Sequence, residues 1–257
     1  LCLAGGVALN SVANGRILKE TPFKEVFIQP AAGDSGGAVG AAFYAYHVLL
    51  QKPRRFVMEH AYWGQRYSEG EIASAVQRAA LSARSFDTDE RLTQHAAQLL
   101  TEGKVVGWFQ GAFEWGPRAL GNRSILADPR REDMKAIVNR KIKFREPFRP
   151  FAPSMLIAHV ADFVEQPNGH GYGLPAQFML CVAPVRADKR SVIPAVTHAD
   201  GSCRLQAVSA QANPRYARLI ERFGEKTGVP VVLNTSFNLR GEPMVNAPAD
   251  AIRTFLN

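Results

Sequence analysis

Two short patterns bring polar side chains together at a spacing that can do chemistry. Lys143-Phe144-Arg145 places two cations two residues apart, and Ser236-Phe237-Asn238 does the same for a hydroxyl and an amide. In extended chain such residues point to one side, so each pair can face a single ligand. The first pair suits phosphate or carboxylate oxygens, and Gly241 after the second allows a tight turn. Taken alone each pattern is common, and Ser and Asn at a turn also serve as plain local caps. More weight comes from the stretch Gly111 to Ser154, which holds ten Lys/Arg against five Asp/Glu. A solvated helix face mixes both signs at i,i+4. Here Arg118, Arg123, Arg145 and Arg149 sit instead beside Gly, Pro and aromatic residues, as guanidinium groups held for bidentate anion binding do. The bland alternative is a basic surface loop.

The elements that must carry these residues alternate between strand and helix, which makes the class α/β. LCLAGGVALNSVANGRIL reads as strand, glycine turn and helix; KEVFIQP as a short strand; AAGDSGGAVGAAFYAYHVLL as a second glycine turn feeding an apolar helix. Gln51 to Tyr67 is basic, aromatic and irregular. Helical periodicity covers Glu69 to Leu81 and Arg91 to Leu100. VVGWFQ reads as a buried strand, and Glu132 and Asp133 open a helix that buries Met134, Ile137, Val138 and Ile142. Prolines 147, 150 and 153 then enforce extended chain through Ile157. Phe178 to Val185 and Cys203 to Val208 are strand candidates, followed by a helix from Pro214 to Lys226 and the strand VPVVLNTSF. Trp108, Phe109, Phe148 and Phe151 read as core rather than stacking residues. Both ends of the chain read as cut, so a fragment of a longer protein is expected.

The net charge of +8 favours an anionic partner. No run approaches the ~20 apolar residues of a membrane span, and no signal peptide is evident. Cys2, Cys181 and Cys203 lack metal or disulfide spacing and read as buried thiols of a cytoplasmic protein.

From about residue 90 onward the chain resembles the threonylcarbamoyladenylate-synthase (YrdC-like) fold, with its K-x-R and S-x-N-x-x-G motifs. The block GPRALGNRSILADPR, with REPFRPFAP, TSFN and RGEP, is more specifically similar to the C-terminal domain of the O-carbamoyltransferases. That family includes tobramycin and cephalosporin carbamoyltransferases and the nodulation protein NodU. GGVALN and GDSGGAVGAA resemble the last part of the actin-like (sugar-kinase-like) domain that precedes it. The resemblance implies three parts: residues 1–60 from the actin-like carbamoyltransferase domain, 61–90 as a connecting segment, and 91–257 as a YrdC-like twisted open sheet that forms carbamoyladenylate.

It further implies that carbamoyl phosphate and ATP, with Mg2+, yield carbamoyladenylate, and that the carbamoyl group passes to an acceptor hydroxyl at the actin-like domain. Lys143 and Arg145 would hold ATP phosphates, with Arg118 and Arg149 at carbamoyl phosphate. Ser236 and Asn238 would bind phosphate or carbamoyl oxygens, and Arg204 is a further candidate. Arg123 would contact substrate or tie down its turn. His198 and Asp200 would touch nucleotide or brace a loop; Glu114 would orient an arginine or magnesium, or form a salt bridge. Asp34 maps to an iron (Fe2+) ligand whose partner histidines are absent from this chain, and His47, His60 and His95 read as surface or linker residues.

Two other readings remain open. A threonylcarbamoyladenylate-synthase-like tRNA-modification enzyme shares the fold, but the inserted Pro117-Arg118 and the GNRS and FRPFAP segments argue against it. A non-catalytic RNA-binding module would use exposed lysines with stacking aromatics; arginines beside Gly and Pro suit a pocket better.

Overall fold

The computed structural model describes residues 1–167 and 171–257. At the N-terminus β1 (Cys2–Leu3) pairs in parallel with β2 (Phe27–Ile28), and α1 (Ser11–Glu20) connects them. Asn10 caps this helix by accepting from the Ala13 N–H at 3.1 Å. A glycine turn leads into α2 (Gly36–Tyr44), which has no buried residue among its nine and continues as one π-helical turn to Leu49. The irregular segment then runs, as expected, to α3 (Glu69–Arg78), which opens on a capping box between Ser68 and Glu71.

The larger unit begins with α4 (Asp89–Thr101) and β3 (Val106–Phe109), then β4 (Arg123–Ala127), α5 (Met134–Lys141) and β5 (Ala152–Leu156). The short helices α6 (Val160–Phe163) and α7 (Gly173–Gln177) precede β6 (Cys181–Pro184) and β7 (Ser202–Val208). α8 (Pro214–Thr227), β8 (Val231–Ser236) and α9 (Pro248–Leu256) complete it. Gly228 ends α8 in the left-handed conformation at φ 73°, the expected helix stop. The six strands form one mixed sheet in the order β3-β4-β8-β5-β7-β6, with β5 and β7 parallel and every other pair antiparallel. The chargeless, β-branched start of β8 explains its place inside that sheet, where Val231, Val232 and Leu233 are fully buried.

Helices α4 and α8 cover one sheet face over Trp108, Leu126, Leu156, Val208 and Val232. Further along that face several polar residues cluster. Ser154 stands opposite Gln206, and Asn234 stands opposite Ala152, two residues from Ser154. The second face buries Met155, Leu205 and Leu233 with Met134 and Val138 of α5, and the same core takes in Val26 and Ile28 of the N-terminal unit. Helix α1 lies against β6 so closely that a Cβ on Gly15 would stand 2.1 Å from the Val182 carbonyl oxygen.

Several expectations need correction. β3 is an edge strand with Gly107 exposed and Trp108 its one buried residue, not a buried strand. β4 was not foreseen, because it opens on an arginine and reads as loop. Cys2 is exposed at the start of β1, while Cys181 and Cys203 are buried. Phe148 is 74% exposed rather than core.

Candidate active site

The loop after α5 carries Lys143 and Arg145, but not as extended chain. Phe144 takes a left-handed conformation at φ 45°, and the Lys143 and Arg145 amides donate to the Val138 and Asn139 carbonyls. The two side chains therefore reach one cavity through a turn, not through strand alternation. That backbone is strained for a bulky residue, a condition that persists only where the surroundings enforce it. Buried Asn139 does so: its Nδ2 donates to the Pro147 and Arg149 carbonyls at 3.1 and 3.0 Å, and its Oδ1 accepts from Arg145 Nε at 2.7 Å.

Ser236 and Asn238 meet this loop from the end of β8. Lys143 Nζ donates toward Ser236 O (2.5 Å), Ser236 Oγ (3.2 Å), Asn238 O (2.9 Å) and Asn238 Oδ1 (2.8 Å). Ser236 Oγ in turn donates to Asn238 Oδ1 at 2.6 Å. Asn238 Nδ2 donates to the Glu242 carbonyl at 2.7 Å, across the turn that Gly241 makes at φ 80°. Burial, with Arg145 adding repulsion, draws the Lys143 ammonium down to about 7. The lysine is thus a buried knot between two loops.

A cavity of about 240 Å³ opens beside this knot, lined by Lys143, Arg145, Arg149, Ser236, Asn238 and Arg240, with Glu146 at its edge. Arg145 lies 4.9 Å over the Phe151 ring. Arg149 is half exposed and pairs with Glu146 at 2.9 Å. Arg240 donates to the Phe144 carbonyl at 3.3 Å.

Arg145 also faces a second group. Arg204 projects from β7 on the same face as Gln206, and its guanidinium is drawn down to about 9 by burial and by repulsion from Arg118 and Arg145. Burial lowers Arg118 as well. The Nε atoms of Arg118 and Arg204 are enclosed without a hydrogen-bond partner. Buried donors are normally paired, and here two guanidinium nitrogens are left unpaired near a third cation.

Arg118 is held there by the turn 113–122, which the sheet face grips from below. Gln206 Nε2 donates to Leu120 O at 2.8 Å, and Asn234 Nδ2 to Ala119 O at 3.2 Å. Ser154 Oγ donates to Gln206 Oε1, fixing that amide. Gly121 takes φ 103° against the Tyr216 ring, where a Cβ would stand 2.3 Å from a ring carbon. On the outer side Tyr62 Oη donates to Leu120 O at 3.0 Å.

The family model for the carbamoyltransferase C-terminus matches residues 97–257, and that for the carbamoyltransferase N-terminus matches residues 1–43. The chain belongs to the carbamoyltransferase family. It is 46% identical to an uncharacterized protein of Synechocystis over its whole length, which is 45% of that protein. It is 43% identical to nodulation protein NolO of Bradyrhizobium diazoefficiens over its whole length, 46% of that protein. It is 35% identical to the 3'-hydroxymethylcephem-O-carbamoyltransferase of Amycolatopsis lactamdurans over 98% of the chain and 45% of that enzyme. The chain therefore spans under half the length of these relatives.

Three residues stand apart from the anion groups. Arg123 is fully buried. Its guanidinium donates to the carbonyls of Gln110 (2.5 Å), Asn122 (3.0 Å), Gly111 (3.4 and 3.3 Å) and Gln65 (3.3 Å), and it stacks 3.8 Å over Phe109. These contacts match the second of its two expected roles, tying down the turn. Glu114 orients no cation: its Oε1 accepts the backbone N–H groups of Leu120, Asn122 and Arg123 at 2.7, 2.8 and 3.2 Å. Asp34 is exposed in the turn before α2. Among the described residues no three His, Cys, Asp or Glu side chains gather as a metal site. Among the described residues, Asp34 therefore has no further side chains gathered with it to hold the iron implied by resemblance.

Arg240 and Glu146 escaped the sequence reading. Arg240 lies two residues beyond Asn238, the same period-two spacing that marked the other pairs. Among the described residues no helix is long and apolar enough to cross a membrane.

Proposed function

We propose that residues 91–257 form carbamoyladenylate and that the full-length protein passes the carbamoyl group to an acceptor hydroxyl. Residues 1–60 would contribute to the acceptor part. In balanced form, carbamoyl phosphate, ATP and one water give carbamoyladenylate, pyrophosphate and inorganic phosphate. Water releases carbamate from carbamoyl phosphate; a carbamate oxygen then attacks the α-phosphorus and pyrophosphate leaves. The observation that carries this reading is a set of cations: Arg145, Arg149 and Arg240 line one cavity, Arg204 feels repulsion from both Arg145 and Arg118, and Arg118 and Arg204 have enclosed, unpaired Nε atoms. Bringing a triphosphate and an acyl phosphate together concentrates negative charge. Fixed cations that offset that repulsion are the main contribution a protein makes to such chemistry.

In this reading Arg145, Arg149 and Arg240 take the triphosphate, and Arg118 and Arg204 take the phosphate of the acyl donor. Lys143 keeps Ser236 and Asn238 aligned at the wall between them. Magnesium would arrive with the nucleotide, because the cavity's one lining carboxylate, Glu146, already pairs with Arg149. The name of the cephem relative points to a hydroxyl-bearing small molecule as acceptor. Chemistry of this kind suits a cytoplasmic setting, where ATP is at hand.

The test is pyrophosphate release from ATP by the full-length protein, with mass-spectrometric detection of carbamoyl-AMP. Release that needs carbamoyl phosphate supports the reading. Release supported equally by bicarbonate and threonine would move the protein to the tRNA-modification chemistry instead.

A further inference from the structure

His198 begins the hairpin that feeds β7, and its surroundings fix how its ring is protonated. Its backbone N–H donates to Ser202 O at 2.7 Å, and Gly201 N–H donates back to His198 O at 2.9 Å. This places the ring beside the Ser202 side chain, on the sheet face that also carries Arg204 two residues on. The single hydroxyl proton of Ser202 goes to Asp200 Oδ1 at 2.6 Å. Ser202 Oγ can then only accept from His198 Nδ1, 3.1 Å away. In the neutral ring the proton therefore sits on Nδ1, and Nε2 carries a lone pair. That Nε2 is enclosed and has no partner. The charged groups facing the ring are Asp200 in its own hairpin, Arg204 on β7 and Lys135 on α5. Arg204 likewise holds an enclosed, unpaired Nε–H. A donor and an acceptor, each buried and each unmade, thus lie on one face of one hairpin.

We infer that His198 is a positioning residue: through its Nε2 lone pair it seats the Arg204 guanidinium when an anion binds. The inference rests on the proposed role of Arg204 as an anion ligand. The chemistry favours an imidazole there. A carboxylate beside Arg204 would compete with the anionic substrate for the same N–H groups. A neutral ring polarised by Asp200 through Ser202 aims the guanidinium yet leaves its charge for the ligand. In the ligand-free protein Arg118 and Arg145 repel Arg204; an anion removes that repulsion and lets the arginine settle on His198. Burial lowers the His198 pKa below the ordinary histidine value, with Arg204 and Lys135 adding to the effect and Asp200 opposing it. The ring accordingly stays neutral at pH 7 and becomes a competing cation only in acid.

The experiment measures binding of carbamoyl phosphate and of Mg·ATP to the full-length protein by calorimetry. It compares wild type with Arg204→Ala, His198→Phe, His198→Gln and Ser202→Ala. Arg204→Ala should weaken one of the two ligands about 100-fold. His198→Phe should weaken the same ligand about tenfold, and His198→Gln, whose amide oxygen can still accept, should recover to within about threefold. As pH falls below the ordinary histidine range, the ratio of wild-type to His198→Gln affinity should fall where the imidazole gains its proton, because only the imidazole can acquire one. Titrations of Lys143 and of the ligand cancel in that ratio. If His198→Phe does not fold, Ser202→Ala tests the same relay. Histidine 15N spectra should then show the Nδ1–H tautomer lost and affinity reduced for that ligand alone. If Arg204→Ala binds both ligands as wild type does, the anion role of Arg204 falls and this inference with it. If Arg204→Ala fails to bind while His198→Phe, or Ser202→Ala in its place, binds normally, the functional reading stands and the role of His198 is refuted.

Discussion

Lys143 and Arg204 are both basic side chains withdrawn from water, and both lie beside Arg145, yet they are built in opposite ways. Lys143 is saturated: four oxygens surround its ammonium, and two loops depend on it. Arg204 keeps an unpaired nitrogen, repulsive neighbours and no carboxylate partner. Arg123 extends the first pattern: its Nε is also unpaired, but its two terminal nitrogens donate to carbonyls of four residues. Arg118 extends the second. Saturated cations hold a site together, whereas unsatisfied ones wait for something to arrive. Residue type does not separate the two groups, but the tally of partners does.

That contrast can be broken most sharply at Arg123. Arg123→Ala should lower stability by about 3–5 kcal/mol, because buried carbonyls lose their donors. A shift of thermal unfolding by less than 2–4 °C, the change that ~1 kcal/mol brings, would place Arg123 among the dispensable residues. Next comes Lys143. Its pKa in the fold, about 7, lies below the free value of 10.5. Below about pH 7 the lysine is charged in both states, and its burial penalty is then fully present. Stability should therefore rise as pH increases from 7 toward 10.5, while anion affinity falls through pH 7 as the ammonium loses its proton. Lys143→Met should flatten both profiles, and unfolding curves and phosphate titrations at several pH values will show whether it does.

The opposite sign is expected at Arg204. Arg204→Met removes an unpaired charge from the interior, so it should stabilise the free protein by about 1 kcal/mol while weakening the anion that Arg204 holds about 100-fold. A loss of stability would mean that Arg204 is as structural as Lys143. The smallest effect belongs to Arg149→Ala, whose half-exposed pair with Glu146 contributes no more than ~1 kcal/mol. Its influence should appear in nucleotide affinity and hardly at all in melting temperature.

The sequence carried the alternation of elements and the closing helix at Gly228, because apolar periodicity and glycine stops are local signals. It also pointed to Lys143, Arg145, Ser236 and Asn238 as one group. What it could not carry was the path between them. Period-two spacing implied extended chain at Lys143, whereas Phe144 turns left-handed because Asn139, several residues earlier, fastens the loop. Strand β4 was hidden for a related reason. An arginine at the head of RSILA reads as loop unless the carbonyls that neutralise it are known, and these come from residues 65, 110, 111 and 122. Glu114 misled in the same way, since its partners are backbone amides that no sequence pattern announces.

The turn bearing Arg118 is also stapled from outside. Gly116 lies so near the Pro30 carbonyl that a Cβ would stand 2.7 Å from its oxygen. Gly64 N–H donates to Phe113 O and Phe113 N–H donates to Gln65 O, each at 2.9 Å, and Trp115 N–H reaches Ala61 O at 2.6 Å. A gene fragment beginning near residue 91 would thus encode every anion-facing arginine and still leave one of them on an unsupported loop. Contacts from Pro30 and from residues 61–65 reach across the boundary of the C-terminal family segment to the turn that carries Arg118.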